Sequence, residues 1–199
     1  MKILTKNDLL SPEDYAKKRN EFRTEVIAIR KNRSVMLGES IRLLFENQQT
    51  IQYQIQEMLR IEKIFEVAEI QEELDTYNPL IPTGNNLKAT MILEYSNEVE
   101  RKQKLSQLLN IEKNIYFQIG NHQKVFAICN EDLERQTEDK TSSVHFMRFE
   151  LNATMIKDFH TAKVEIIANH ANYQSTTILS LAQKELLALD FKNNVERCH

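Results

Sequence analysis

Six segments between Leu87 and Leu179 read as β-strands, and the stretches joining them are mostly too short for the helical crossovers that parallel pairing requires. The clearest is Leu87 to Tyr95, where Leu87, Ala89, Met91, Leu93 and Tyr95 alternate with Lys88, Thr90 and Glu94 to give one buried and one wet face. Ile115 to Ile119 and Val125 to Cys129 flank Gly120-Asn121-His122-Gln123 as a hairpin, and Val144 to Leu151, Lys163 to Ala168 and Tyr173 to Leu179 follow. Upstream, Val35-Met36-Leu37 and Ile41 to Glu46 form a further hairpin around Gly38-Glu39-Ser40. The fold class is therefore α+β: a mainly antiparallel sheet of about six to eight strands with an N-terminal helix, a kinked or broken central helical segment and a C-terminal helix.

The helices carry their own start and stop signals. Ser11-Pro12-Glu13-Asp14 supplies a cap, a proline whose missing N–H costs nothing in the first turn, and acids at the positive end of the dipole. Tyr15, Phe22, Val26 and Ile29 then recur at helical spacing, so a helix over 12–31 is expected. From Thr50 to Gln56 apolar and polar residues alternate, but Glu57-Met58-Leu59-Arg60 continues with strong helix formers, which favours helix. Ile51, Ile55, Met58 and Leu59 share one stripe, whereas Ile64, Val67, Ala68 and Leu74 centre on nearly the opposite side. A straight helix over 48–76 would have to be buried on both sides, so a break near Glu62 to Phe65 is expected. It also decides the fate of Glu62, which falls on the apolar stripe and must be rotated out or met by a cation such as Arg60 or Arg42. Tyr77-Asn78-Pro79 ends the second piece, because the residue before proline is pushed out of the helical region. Asn97 with Glu100 opens a helix to about Asn110, a short helix follows Asn152, and Ser180 with Gln183 caps a last helix over 181–190. No repeat and no Gly/Ser-rich or Pro-rich linker divides the chain, so a single domain over 1–199 is expected, with Asn130 to Thr141 and Pro79 to Asn86 as loops within it.

Composition removes several classes of function. Lys and Arg number 26 against 29 Asp and Glu, a formal charge of −3, so there is no positive excess for a phosphate backbone and nucleic acid is not expected as a partner. The start, MKILTKNDLLSPEDY, lacks the apolar run of a signal peptide, and no window is long and apolar enough to span a bilayer; no membrane insertion and a cytoplasmic location are expected. Glycines at 38, 84 and 120 cannot make a phosphate loop, and there is neither a G-x-S-x-G elbow nor an H-E-x-x-H helix. Cys129 and Cys198 are too few for a thiolate zinc site and are expected to remain unbridged; Cys129, in an apolar strand, reads as an inert thiol rather than a nucleophile. His122, His145, His160, His170 and His199 show no local pairing. Neither a cofactor nor a metal is expected.

Two constellations remain. His145 shares a strand face with Met147, Phe149 and Leu151, which makes it a core histidine first and a metal or proton-transfer group second; Arg148 and Glu150 point the other way as an ion pair or a catalytic couple. Tyr53, Glu57 and Arg60 align on the polar side of the central helix, where they form either a solvated ion-pair face or a recognition stripe. Glu66, Glu69, Glu72 and Glu73 make the next helix acidic, but no Glu-x-x-His accompanies them as a di-iron bundle would need.

Leu44-Phe45-Glu46-Asn47, Tyr53 to Arg60, Ile70 to Asp75 with Tyr77 to Pro82, and Thr141 to Phe146 with Arg148-Phe149-Glu150 together resemble an uncharacterised bacterial family, domain-of-unknown-function family 3501, over about Leu4 to Ser180. The resemblance implies no activity or catalytic residue. It implies a context, since genes of this family often lie beside those for rubrerythrin-like proteins and for iron–sulfur subunits similar to heterodisulfide reductase. The chain departs from the usual pattern at Leu87, where relatives tend to carry Trp, and at Asn169-His170-Ala171, where Asp-His-Pro is common, which weakens any role for His170.

The expected function is a cytoplasmic accessory or protein-binding module for an iron–sulfur or rubrerythrin-type redox partner, with Tyr53, Gln56, Glu57, Arg60, Tyr77 and Asn78 as its surface. The rival is an enzyme or metal protein in which Glu57, Glu72 or Glu73 meets His145, Arg148 and Glu150, and the third reading is a purely structural domain. Convergence of those side chains in one concave pocket would favour the rival.

Overall fold

The computed structural model describes residues 3–129, 131 and 139–191. The Asn130 to Thr141 loop lies largely outside the described residues, as do Cys198 and His199. After a 3-10 turn at Lys6–Asp8, the chain forms α1 (Pro12–Asn32), β1 (Ser34–Leu37), β2 (Ile41–Phe45), α2 (Gln48–Glu62), α3 (Val67–Tyr77), β3 (Asn86–Leu93) and α4 (Glu98–Gln107). There follow β4 (Ile115–Ile119), β5 (Val125–Phe126), β6 (Ile128–Cys129), β7 (Val144–Glu150), α5 (Ala153–Asp158), β8 (Val164–His170), β9 (Tyr173–Ile178) and α6 (Leu181–Ala188). The class is α+β, with helices at both ends and a broken central helical segment.

All strand pairing is antiparallel, and the strands divide between two sheets, ordered β1-β2-β3-β7-β6 and β5-β4-β8-β9. The division happens inside the segment that reads as one strand from Val125 to Cys129. Val125 and Phe126 pair with β4, the Ala127 N–H still bonds the Ile115 carbonyl, and Ile128 and Cys129 then pair with Arg148 and Met147 on β7. A strand that changes sheets at a corner makes two layers where hydrophobic alternation alone suggests one. The inner faces close on each other through Phe117, whose ring lies 5.9 Å from Phe45, 4.8 Å from Phe149 and 6.5 Å from Phe159. At the hairpin of β1 and β2, Gly38 has φ +72°, and a Cβ there would overlap the Tyr173 hydroxyl, which donates to the Leu37 carbonyl at 2.6 Å and so ties β9 to β1.

The helices form a smaller second core of Leu4, Ile51, Ile55, Leu59, Leu74 and Ile81. Its geometry explains the change of phase in the central segment. α2 stops at Glu62, Lys63 takes a left-handed conformation at φ 55° and ψ 44°, and the Ile64 N–H returns to the Leu59 carbonyl at 2.9 Å. The chain thereby turns so that Ile64, Ile70, Leu74 and Tyr77 meet the same core, whereas Val67 and Ala68 of the expected second stripe stay exposed. Glu62, last in α2, is rotated to solvent and needs neither Arg60 nor Arg42. The end of α3 differs from expectation: Asn78 stays helical at φ −55° and ψ −37° and passes into a 3-10 turn over Asn78–Leu80. Its side chain supplies the reason, donating to the Leu4 carbonyl and accepting from the Leu4 N–H, both at 2.9 Å.

Candidate functional site

The polar residues of α2 face inward upon the chain itself. Glu57 accepts from the Tyr15 hydroxyl at 2.6 Å, from Arg19 Nε and Nη2 at 2.8 Å each, and from Arg60 Nη2 at 3.1 Å. Arg19 beside it holds the carboxyl down to about 2, with further hydrogen bonds from Tyr15 and Arg60 overcoming the opposing effect of burial. Burial, and then the same carboxylate, push the Tyr15 phenol up. Tyr53 packs edge-on to Phe22 at 6.0 Å and carries the Arg30 guanidinium 5.5 Å above its ring. Tyr53 and Glu57 are thus the seam between α1 and α2.

Gln56 is buried and reads the backbone of the N-terminal segment: its Oε1 accepts from the Leu10 N–H at 2.6 Å and its Nε2 donates to the Leu10 carbonyl at 3.4 Å. Gln52 donates to the Asp8 carbonyl, and Asn78 holds Leu4 at the far end. Tyr77 packs half-buried against the second core. Of the six residues expected to form a binding surface, Arg60 keeps the largest share of its side chain in solvent among those facing α1, at 43%, and it stands at the edge of a cavity.

That cavity, of about 650 Å³, opens between the N-terminal segment, the start of α1, the end of α2 and the start of α3. Leu9, Leu10, Leu59, Ile64, Phe65 and Ile70 make its apolar walls, with Lys6 and Arg60 among its polar ones. Phe65 is 63% exposed, and its neighbours in the chain Ile61 and Val67 are 56% and 60% exposed. The turn at Lys63 therefore presents three large apolar side chains to solvent at one corner.

The residues of the enzyme reading are not brought together. His145 is fully buried on the inner face of β7, its Nε2 2.9 Å from Thr141 Oγ1 and 3.0 Å from the Ser142 carbonyl, and it serves the core. Arg148 and Glu150 lie on the other face; Arg148 bonds Glu131 at 2.6 and 2.8 Å and also Glu150, which accepts from Asn86 at 2.9 Å. Glu57 belongs to the helical seam, and Glu72 is exposed on α3. Among the described residues no three His, Cys, Asp or Glu are placed to hold a metal ion. The Cys129 thiol, 3.6 Å from the Glu112 carbonyl, is pushed up to about 12 by burial and by the Glu112 charge, and is not a nucleophile at neutral pH. His170 is engaged at both ring nitrogens, by the Leu109 carbonyl at 3.0 Å and the Asn172 N–H at 3.1 Å.

Sequence reasoning missed the buried pair of Arg33 and Asp190. Arg33 also donates to the carbonyls of Phe45 at 2.9 Å and Glu46 at 3.1 Å, and each side chain of the pair is 2% exposed. The only local signal was an arginine at the end of α1, and its partner is 157 residues away.

Residues 3–191 match the family described as protein of unknown function (DUF3501). The chain belongs to domain-of-unknown-function family 3501. It is similar to a novel protein of unknown function from Burkholderia pseudomallei K96243, known from a crystal structure, with 44% identity and a TM-score of 0.90 over 96% of this chain and 100% of that one. No curated protein matches. In this member of family 3501, the resembling strings that include Gln56, Glu57, Asn78 and His145 fall on side chains that tie α1, the N-terminal segment and β7 into place. No helix among the described residues is long and apolar enough to cross a membrane.

Proposed function

We propose that this chain is a cytoplasmic protein-binding module, an accessory to an iron–sulfur or rubrerythrin-type redox partner, and that it docks through the corner between α2 and α3. The observation that carries this reading is the corner itself, where Ile61, Phe65 and Val67 stand more than half exposed beside an open apolar cavity. Large apolar side chains clustered in this way on a soluble fold mark interaction surfaces. The reading moves the surface away from Tyr53, Gln56 and Glu57, whose hydrogen-bonding and ring contacts are used within the chain, and keeps Arg60 on its rim. The redox character of the partner rests on the genomic context that the family resemblance implies.

The test is capture from native cells by the intact chain, compared with Phe65→Glu, with melting temperature read on the same preparations. The expected result is recovery of an iron-containing partner by the wild type and its loss by the variant at an unchanged melting temperature. Undiminished capture by Phe65→Glu, or a partner without iron, would overturn the reading.

A further inference from the structure

We infer that the occupant of the α2–α3 corner is a basic amphipathic helix, which lays its apolar stripe on Phe65 and into the cavity and sets its lysines or arginines against the carboxylates of α3. The inference rests on the docking reading above and adds the chemistry of the partner segment.

Charge supplies the first argument. Residues 61–77 contain Glu62, Glu66, Glu69, Glu72, Glu73 and Asp75 against a single cation, Lys63. None of the five glutamates is ion-paired among the described residues. Some acids elsewhere on the surface are paired, as Glu94 is with Arg42 at 2.6 Å, Glu131 with Arg148 at 2.6 Å and Glu165 with Lys163 at 2.8 Å. The repulsion is felt within the cluster: burial, then the charges of Glu62 and Glu72, push the Glu73 carboxyl up. A cationic partner relieves that repulsion, whereas an acidic one adds to it. The charged residues that line the cavity itself are Lys6, Glu13 and Arg60 and none of the carboxylates of residues 61–77, so the apolar stripe of the partner enters the cavity while its cations lie outside it, along α3.

Backbone chemistry supplies the second argument. An extended peptide draws its affinity from main-chain hydrogen bonds to a free strand edge, and no strand contributes to this site. Within the lining, the N–H and carbonyl of Leu10 are already bonded by Gln56. A segment entering an apolar cavity must then satisfy its own N–H and C=O groups, which a helix does.

The probes are three synthetic helical peptides: one with leucines at i, i+3, i+4 and i+7 flanked by lysines, the same peptide with glutamates for the lysines, and a scramble of the basic peptide that destroys the stripe. Titration against the intact chain is expected to show binding of the basic amphipathic peptide, weakening with salt, and at least tenfold weaker binding of the other two. The triple variant Glu66→Lys, Glu69→Lys, Glu72→Lys, at exposed positions, should reverse the preference between basic and acidic peptides. Equal binding of all three peptides, no binding of any, or an unchanged preference in the triple variant would overturn the basic-helix inference. None of these outcomes touches the docking reading, which stands or falls on capture by Phe65→Glu.

Discussion

The two cores of this protein differ in how completely they are closed. Between the sheets, Phe45, Phe117, Phe149, Phe159 and Phe191 are at most 2% exposed; His145 and the Arg33–Asp190 pair find buried partners, and of the fully buried acids Glu112 alone has none among the described residues. In the helical unit, six buried side chains form the core with five half-buried ones packed against them, an open cavity of about 650 Å³ adjoins it, and its first strip of chain is held by the side-chain amides of Gln52, Gln56 and Asn78. Burial contributes roughly 25 cal/mol per Å² of apolar surface, so the sandwich dominates stability while the helical unit leaves apolar surface unspent. A docking surface belongs where apolar area is still available, and the difference between the cores places it on the helices.

The sharpest way to break the comparison is to open the closed core. Arg33→Met leaves the Asp190 carboxylate inside the protein without its guanidinium, and the expected loss is about 3–5 kcal/mol in denaturant unfolding. Burial already pushes the Asp190 carboxyl up to about 6 against the pull of Arg33, and without Arg33 it moves further upward. A carboxyl raised in the folded state favours the fold below its unfolded value and loses that advantage as pH rises through the folded one. The deficit of Arg33→Met should therefore widen between pH 5 and pH 8. Adding Asp190→Leu should recover most of the loss, since two matched apolar groups strand no charge. A double variant no more stable than the single one would mean that the pair does not close this core.

That pair also marks the limit of what the sequence discloses. Local rules were enough for the caps at Ser11, Asn97, Asn152 and Ser180, each of which accepts from the backbone three residues on, and for the break after α2, because capping and phase are properties of a few adjacent residues. The passage of Val125 to Cys129 between sheets was not legible, because alternation specifies which face is wet and not which neighbour pairs. The polar side of α2 was readable as a stripe, but its partners on α1 and the N-terminal segment lie 38 to 46 residues away. A polar face turned toward another helix and one turned toward water have the same sequence pattern, so Glu57 could be found and its partners could not. The corner at Ile61, Phe65 and Val67 was hidden for a related reason: Val67 fits the second apolar stripe and Ile61 and Phe65 fit neither, and which of the three stay in solvent is decided by the turn at Lys63.

A middle-sized effect is expected at the seam of the open region. Glu57→Gln keeps the shape but removes the charge that Arg19 and Arg60 share, and hydrogen bonds to charged groups contribute about 1.5–3 kcal/mol. Glu57 is held near 2, below the ordinary value of 4.5, so its contribution is complete above about pH 4.5 and is lost as pH falls from there toward 2. Wild type and variant should differ at pH 7 and converge in that acid window, when thermal unfolding is followed across pH. Parallel curves down to pH 2 would show that the seam does not depend on the ionised carboxylate. Partner capture by Glu57→Gln should persist, because the docking corner is formed by other residues.

The smallest effect concerns the turn that creates the corner. Lys63 occupies the left-handed region, where a Cβ costs about 1–2 kcal/mol and glycine none, and this is the position after a helix where glycine is favoured. Glycine also makes the unfolded chain more flexible, which returns about 0.4–1 kcal/mol of that gain. Lys63→Gly is thus expected to stabilise by about 0.5–1 kcal/mol, a rise of roughly 1–4 °C in melting temperature for a chain of this length. Lys63→Ala retains the Cβ and is the control, since it removes the same charge from the acidic surroundings without relieving the backbone. If glycine and alanine melt together, the left-handed turn is not what holds α2 against α3, and the exposed corner would lack its stated cause. If glycine alone stabilises, the bond from the Ile64 N–H to the Leu59 carbonyl is retained and Phe65 stays outside, so that basic-peptide binding should strengthen by the same factor in Lys63→Gly and Lys63→Ala, through the lost cation, while stability rises only in the glycine variant.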